Sequence, residues 1–398
     1  MTAILVLTVL SFGTWESIGP EGGDVSALLQ STQDADVLLA ISGANPALVG
    51  RSADGGDSWE IISSIPNAYA YDLVMTQDGR LVALGSSRTW TSSDGGYSWN
   101  EHYSSNTIFY DGVAHPSESG TVYATGYKYY GGSWDMSFYS STDAGQSWTA
   151  TPLTASSNST YGRTIAISDE APGNILVGGY EYSSGYIPYL FLSNDGGASF
   201  TEVTPSGEAY YFQGSAIDPQ DSTVLFAGGL QQLHRSTDGG TSWSTAANQT
   251  YSYDISFSPA DDNLVLAAGS NRTYRSTDRG QTWSSVYTGL DGSGIQWIVP
   301  HRQNSSLAYT GSSCGFFRSS DGGQSWTMNN SGLLVGKVLA MEEMNDQLYM
   351  NIQDLGVFRS DIGPSMTWTE VSTPLSCGDF CALVSIGPDT ILALEGAG

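Results

Sequence analysis

Apolar residues in this chain come in short runs broken by Gly, Ser, Asp and Asn, and no stretch sustains the i, i+3, i+4 spacing of an amphipathic helix. The first clear unit has runs at 25–29, 37–42, 47–51 and 59–62, which read as four short strands joined by tight turns. The pattern predicts an all-β chain.

The strand pattern is punctuated by a recurring octapeptide. Ser52-Ala53-Asp54-Gly55-Gly56-Asp57-Ser58-Trp59 and Ser92-Ser93-Asp94-Gly95-Gly96-Tyr97-Ser98-Trp99 share a Ser-x-Asp-x-Gly-x-x-Trp frame. It returns at Asp143, at Asp195 with Phe200 in place of Trp, at Asp238, Asp278 and Asp321, and in a distorted form at Asp361. Successive aspartates lie 40, 49, 52, 43, 40, 43 and 40 residues apart, the length of one four-stranded propeller blade. Within a box, Asp is expected to accept hydrogen bonds from backbone N–H groups a residue or two ahead. The glycines supply positive φ, and the Trp folds its indole back over the turn. Arg51, Arg235, Arg275, Arg318 and Arg359 repeat at one offset from their boxes, so they read as braces of the blade rather than as ligand-binding residues.

These boxes resemble the Asp-box, or BNR repeat, of sialidases, sortilin-type receptors, a xyloglucan-hydrolase family and photosystem assembly factors. The resemblance covers residues 52–368 and implies a β-propeller, with the boxes in turns away from the usual ligand face. Fold alone does not choose among those functions. A sialidase site would need an arginine triad and an Arg-Ile-Pro segment near the start. No such segment occurs, and the arginines outside the boxes are Arg80, Arg88, Arg163, Arg272, Arg279 and Arg302. The xyloglucan-hydrolase family usually carries an early Thr-Asp-x-Gly-Gly segment, which is missing around Gly22 and Asp24; Asp361-Ile362-Gly363 is an isolated echo.

A single propeller domain over residues 1–398 is expected, with eight repeats across about 19–372 and a terminal half-blade at 373–398. Runs at 380–385 and 390–395 resemble the first two strands of a further unit, and runs at 3–10 and 14–18 the last two. Eight blades plus a ninth assembled from both termini would latch the ring; an eight-bladed ring with spare ends is the alternative. The same ends could pair between molecules and build an extracellular filament or surface assembly by strand exchange. Residues 1–12 read either as the remnant of an export signal or as a terminal strand.

Composition narrows the partners. Asp and Glu total 40 against 13 Lys and Arg, a formal charge of −27 with only 13% of residues charged. With two lysines, Lys128 and Lys337, the surface cannot neutralise a run of phosphates, which excludes nucleic acid, and no segment calls for membrane insertion. Sequons at Asn158, Asn248, Asn271, Asn304 and Asn329 fit a glycoprotein that is secreted or on the cell surface. Cys314, Cys377 and Cys381 allow one disulfide of open pairing. No cofactor is implied, and no loop has the spacing of a metal site.

Aligning the innermost strand of each unit gives the candidate site. The position before it holds Asp24, Asp72, Asp111, Arg163, Gly214, Asp254, Gln296, Lys337 and Asp379, with Tyr71, Tyr110 and Tyr253 preceding three of the aspartates and Tyr211 and Trp297 in the same class of loop. A rim of carboxylates and aromatic faces suits a glycan or a protein ligand. It also has a framework role available, because Asp before a strand satisfies turn N–H groups. The expectation is a non-catalytic binding or scaffold propeller. The alternatives are the self-associating structural subunit and a polysaccharide glycoside hydrolase with Asp72 and Asp254 as its carboxylates.

Overall fold

The computed structural model describes residues 24–43, 45–154, 158–207, 210–248, 251–290, 294–312, 315–329, 338–344, 347–352, 356–361, 369–370, 380–387 and 390–395. Every element among them is a strand. The first sheet is β1 (Val25–Gln30), β2 (Leu38–Ser42), β3 (Ala47–Ser52) and β4 (Glu60–Ile65). A six-stranded sheet follows: β5 (Ala70–Met75), β6 (Leu81–Ser92), β7 (Asn100–Ala114), β8 (Val122–Tyr129), β9 (Trp134–Ser141) and β10 (Thr149–Pro152). Then come the four-stranded sheets β11 (Ser159–Ile167), β12 (Ile175–Tyr182), β13 (Tyr186–Ser193), β14 (Thr201–Glu202); β15 (Phe212–Asp218), β16 (Asp221–Gly229), β17 (Gln232–Ser236), β18 (Ser244–Asn248); β19 (Asp254–Phe257), β20 (Val265–Gly269), β21 (Arg272–Ser276), β22 (Ser284–Val286); and β23 (Ile295–Pro300), β24 (Ala308–Ser312), β25 (Gly315–Ser319), β26 (Thr327–Met328). The last two sheets are β27 (Val338–Met344), β28 (Gln347–Ile352), β29 (Gly356–Asp361), β30 (Thr369–Glu370), and the pair β31 (Phe380–Gly387) and β32 (Thr390–Glu395). In each sheet consecutive strands pair antiparallel, so the chain runs as a series of meanders.

Burial grades outward along each meander, which is why the strands differ in composition. Second strands such as β2, β20 and β24 are buried on both faces and are nearly continuous apolar or small residues, whereas outermost strands such as β14, β18 and β26 are largely exposed. The six-stranded sheet carries two boxes, at Asp94 and Asp143. Its long strands serve two units: β6 pairs with β5 through residues 81–85 and with β7 through residues 86–91, and β7 goes on to pair with β8. Ser87 and Asn106, both with φ of 56°, lie between the two halves of each.

Apolar clusters between the sheets define a ring. They join Leu39 and Val49 to Leu73 and Trp90; Val74 and Leu84 to Phe109 and Tyr139; Tyr123 and Phe138 to Ile165 and Val177; Leu176 and Leu190 to Phe212 and Leu225; Phe226 and Leu233 to Ile255 and Val265; and Leu266 and Ala268 to Ile298 and Phe317. A seventh cluster packs Tyr309 and Phe316 of β24 and β25 against Val25, Leu38 and Trp59 of the first sheet. Arg318 adds an ion pair to Asp57 at 2.7 Å, and Gln30 accepts the Arg302 N–H across the same seam. Five four-stranded sheets and the two halves of the six-stranded one therefore close the circle between β1 and β26.

This corrects the expectation of eight or nine four-stranded blades latched by pairing of the terminal strands. Six sheets are four-stranded, and the one built on the eighth box, β27–β30, comes after the ring has closed. The inner face of β24–β25 is already filled by Val25 and Trp59, which leaves no place for another sheet between them. The runs at 380–385 and 390–395 do form the expected antiparallel pair. Residues 1–23, including the runs at 3–10 and 14–18, lie outside the described residues.

Seven boxes repeat one hydrogen-bond network. In the first, Ser52 Oγ donates to Asp54 Oδ1 at 2.7 Å and accepts the Gly56 N–H, while Asp54 accepts the Ser58 N–H at 2.9 Å and its hydroxyl at 2.6 Å. The same contacts recur at Asp94, Asp143, Asp195, Asp238, Asp278 and Asp321. The donor lies four residues ahead, not one or two, because consecutive positive-φ residues such as Gly55 and Gly56 wrap the chain around the carboxylate. The indoles of Trp99, Trp148 and Trp283 donate back to the turn carbonyls of Gly96, Gly145 and Gly280, as expected. The bracing arginines reach forward: Arg275 donates to the Gly322 carbonyl in the next box, as Arg318 does to Asp57.

Candidate functional site

Three of the aspartates aligned in sequence, Asp72, Asp111 and Asp254, line one channel. A cavity of about 650 Å³ is lined by Asp72, Tyr110, Asp111, Arg163, Tyr253, Asp254 and Trp297, together with Gln213 and Gln296. Asp24, Tyr71 and Tyr211 are not among the lining residues: Asp24 is pressed onto Gly43, Tyr71 stacks on Tyr110, and Tyr211 packs on Tyr180. Asp379 lies outside the described residues, as do the Cys314 and Cys377 positions.

The carboxylates are tied to the frame. Innermost strands carry a β-bulge near the aligned position, for example between Ala70 and Asp72, between Phe109 and Asp111, and between Gly162 and Thr164. A bulge breaks the ladder locally and leaves N–H groups to be satisfied from elsewhere. The aspartate of the preceding unit supplies the acceptor. Asp72 takes the Gly112 N–H at 2.9 Å, Asp111 the Ile165 N–H at 2.8 Å and Asp254 the Ile298 N–H at 2.9 Å, each from the next innermost strand around the ring. Burial pushes Asp72 and Asp254 up to about 6 and raises Asp24. It raises Asp111 well above the usual carboxylate range, with the Asp72 charge adding to the effect.

Around the mouth lies an aromatic surface that the aligned positions only partly foretold. Tyr71 stacks on Tyr110 with centroids 5.7 Å apart, and the Arg163 guanidinium covers Tyr110 at 4.2 Å while donating to the Tyr180 hydroxyl at 3.0 Å. From Tyr180 the cluster continues to Tyr161, Tyr127 and Trp134 on one side and to Tyr211 and Tyr186 on the other. The added rings come from hairpins β8–β9 and β12–β13, whose strands are eight residues long against five in β2, β20 or β24. At their tips Tyr129, Tyr182 and Tyr186 are 42%, 55% and 39% exposed. The signal for them was the box spacing: the intervals of 49 and 52 residues belong to these two units.

Of the sequons, Asn158 donates to Glu181 at 2.8 Å, Asn304 accepts the Ser306 N–H, and Asn248 and Asn271 are exposed. Cys381 falls in β31. No helix among the described residues is long and apolar enough to cross a membrane.

Comparison with known proteins agrees with the fold. A BNR/Asp-box repeat model matches residues 274–285. A xyloglucanase from Paenibacillus sp. is 25% identical over 292 residues, which cover 60% of this chain and 28% of that protein, so the chain spans less than a third of the relative's length. Among solved structures, an ancestral GH74 enzyme matches with a TM-score of 0.72 at 13% identity, over 98% of this chain and 60% of that one. YCF48 from Cyanidioschyzon merolae matches with a TM-score of 0.56 at 15% identity, over 78% and 99% respectively. At these identities the structural likeness is one of fold.

Proposed function

The chain is a β-propeller of the BNR/Asp-box type, and we propose that it acts on a polysaccharide, as the glycan-holding propeller of a glycoside hydrolase working outside the cell. The observation that carries this reading is the exposed tyrosine surface of hairpins β8–β9 and β12–β13, set at the mouth of a carboxylate-lined channel. Sugar rings present C–H faces that stack on aromatic rings, and their hydroxyls pair with polar groups at the rim. The similarity to a xyloglucanase supports the same ligand class.

This reading prefers the hydrolase over the binding-only scaffold expected first. Asp72 and Asp254 are the carboxyls we assign to acid–base work: with both held up near 6, the form that is active at mildly acidic pH has one of them protonated, to give its proton to the leaving oxygen, and the other ionised, to take a proton from the attacking water. The test uses xyloglucan and a panel of neutral β-glucans. Binding in affinity electrophoresis, with reducing ends released and lost in Asp72→Asn or Asp254→Asn, is the expected result. Absence of binding to every polysaccharide would overturn the proposal, and release undiminished in both variants would overturn the assignment of the acid–base pair.

A further inference from the structure

Arg163 sits in the channel wall. Among the described residues its guanidinium forms no ion pair, although the chain carries 40 acidic residues and four aspartates, Asp72, Asp111, Asp169 and Asp254, line the same cavity. Its contacts are the Tyr110 face, the Tyr180 ring at 5.5 Å and the Tyr180 hydroxyl, and its Nε–H, buried from solvent, has no acceptor. Three of them have turned to the frame, Asp72 to Leu73 and Gly112, Asp111 to Gly112 and Ile165, Asp254 to Ile298, while Asp169 is exposed. Burial favours the neutral form of those three and so weakens their repulsion of an anion. Two further polar atoms of residues that line the cavity, the Trp297 indole N–H and the Gln213 side-chain carbonyl, lack partners but are closed off from solvent.

A mostly buried cation without an ion-pair partner is costly to keep and asks for an anionic acceptor. Arg is also suited to carboxylates by its planar fork of donors. We propose that Arg163 forms a subsite for the carboxylate of an acidic sugar, a uronate residue. The inference rests on the polysaccharide reading above and adds an acidic residue to the glycan recognised.

The experiment compares a trigalacturonate with its methyl-esterified counterpart by titration calorimetry at pH 5, on the full chain, with xyloglucan binding measured in parallel. The expected result is a free acid bound at least about 10-fold more tightly than the ester. Arg163→Gln should bring the ratio of the two affinities to near 1 and Arg163→Lys should keep part of it, which a purely structural role for Arg163 would not produce. Equal affinities in the unaltered chain, or a ratio unmoved by Arg163→Gln, overturn the subsite. If xyloglucan binds and neither trigalacturonate form does, the subsite fails and the polysaccharide reading stands. If no glycan binds, both fall.

Discussion

Arg279 and Asp218 form a two-pronged ion pair across two sectors of the ring, Nη2 to Oδ1 at 2.6 Å and Nε to Oδ2 at 3.1 Å. Asp218 is 1% exposed, at the end of β15, and Arg279 occupies the first positive-φ position of its box, with φ of 57° where five of the other boxes place Gly. A bulky residue there pays a backbone cost of order 1 kcal/mol, which the ion pair offsets.

Arg279→Gly should therefore destabilise the propeller even though it relaxes the turn. Leaving a buried carboxylate unpaired costs roughly 3–5 kcal/mol, against about 1 regained from the backbone, so a net loss of about 2–4 kcal/mol is expected in urea unfolding. Combining it with Asp218→Asn should recover much of that loss. An Arg279→Gly chain as stable as the parent would show that the pair carries nothing.

The Asp-box is expected to be a lock of ordinary strength repeated seven times. Asp94 accepts the Ser98 hydroxyl at 2.5 Å, the Ser92 hydroxyl at 2.7 Å and the Ser98 N–H at 3.0 Å. Asp94→Ala leaves a turn N–H and two hydroxyls with water as their recourse, so a loss of about 1–3 kcal/mol is expected from the denaturant midpoint. Asp94→Asn, which keeps acceptor oxygen, should lose less.

Two sets of aspartates pull the pH dependence of stability in opposite directions. The Ser98 and Ser92 hydroxyls and the Ser98 N–H hold Asp94 down to about 2, so its contribution is present above the unfolded value near 4 and is lost as pH falls toward 2. Burial lifts Asp72 to about 6, so its contribution is full below the unfolded value and is lost as pH rises through 6, by about 3 kcal/mol in all. Urea unfolding at half-unit steps should give maximal stability near pH 4–5, and Asp72→Asn should flatten the decline between pH 4 and pH 7. Stability rising steadily from pH 4 to pH 7 would contradict the buried state of Asp72.

The regular part of this architecture was legible because a box has to satisfy its hydrogen bonds locally. Ser92, Asp94, Gly96 and Ser98 lie within one turn, and the same spacing recurs wherever the turn does. The number of sectors was not legible, because closure depends on which faces meet. Nothing in the order of residues announces that Phe316 packs on Trp59, with ring centroids 4.9 Å apart, before the eighth box is reached. Of the aligned aspartates, Asp72, Asp111 and Asp254 line one cavity, whereas Asp24 does not. Their bonds to Gly112, Ile165 and Ile298 depend on bulges in the neighbouring units, which alignment within one unit does not reveal. The aromatic surface lay in the two long box intervals, where Tyr127, Trp134, Tyr180 and Tyr186 break the repeat and so escape a search for repetition.

Tyr186 offers the sharpest check on what that surface does. It is 39% exposed and packs on Tyr180, Tyr182 and Tyr211 at the tip of hairpin β12–β13, so truncation removes a stacking face without opening the core. Tyr186→Ala should weaken binding to xyloglucan about 10-fold while shifting stability by less than about 1 kcal/mol. Tyr97 is the matched control: 54% exposed, it sits in a box, at the end of its sheet opposite the rim aspartates. Tyr97→Ala should leave binding unchanged. Equal losses from the two substitutions, in affinity electrophoresis on the same gel, would mean that the polysaccharide meets the propeller somewhere other than the tyrosine-bearing mouth.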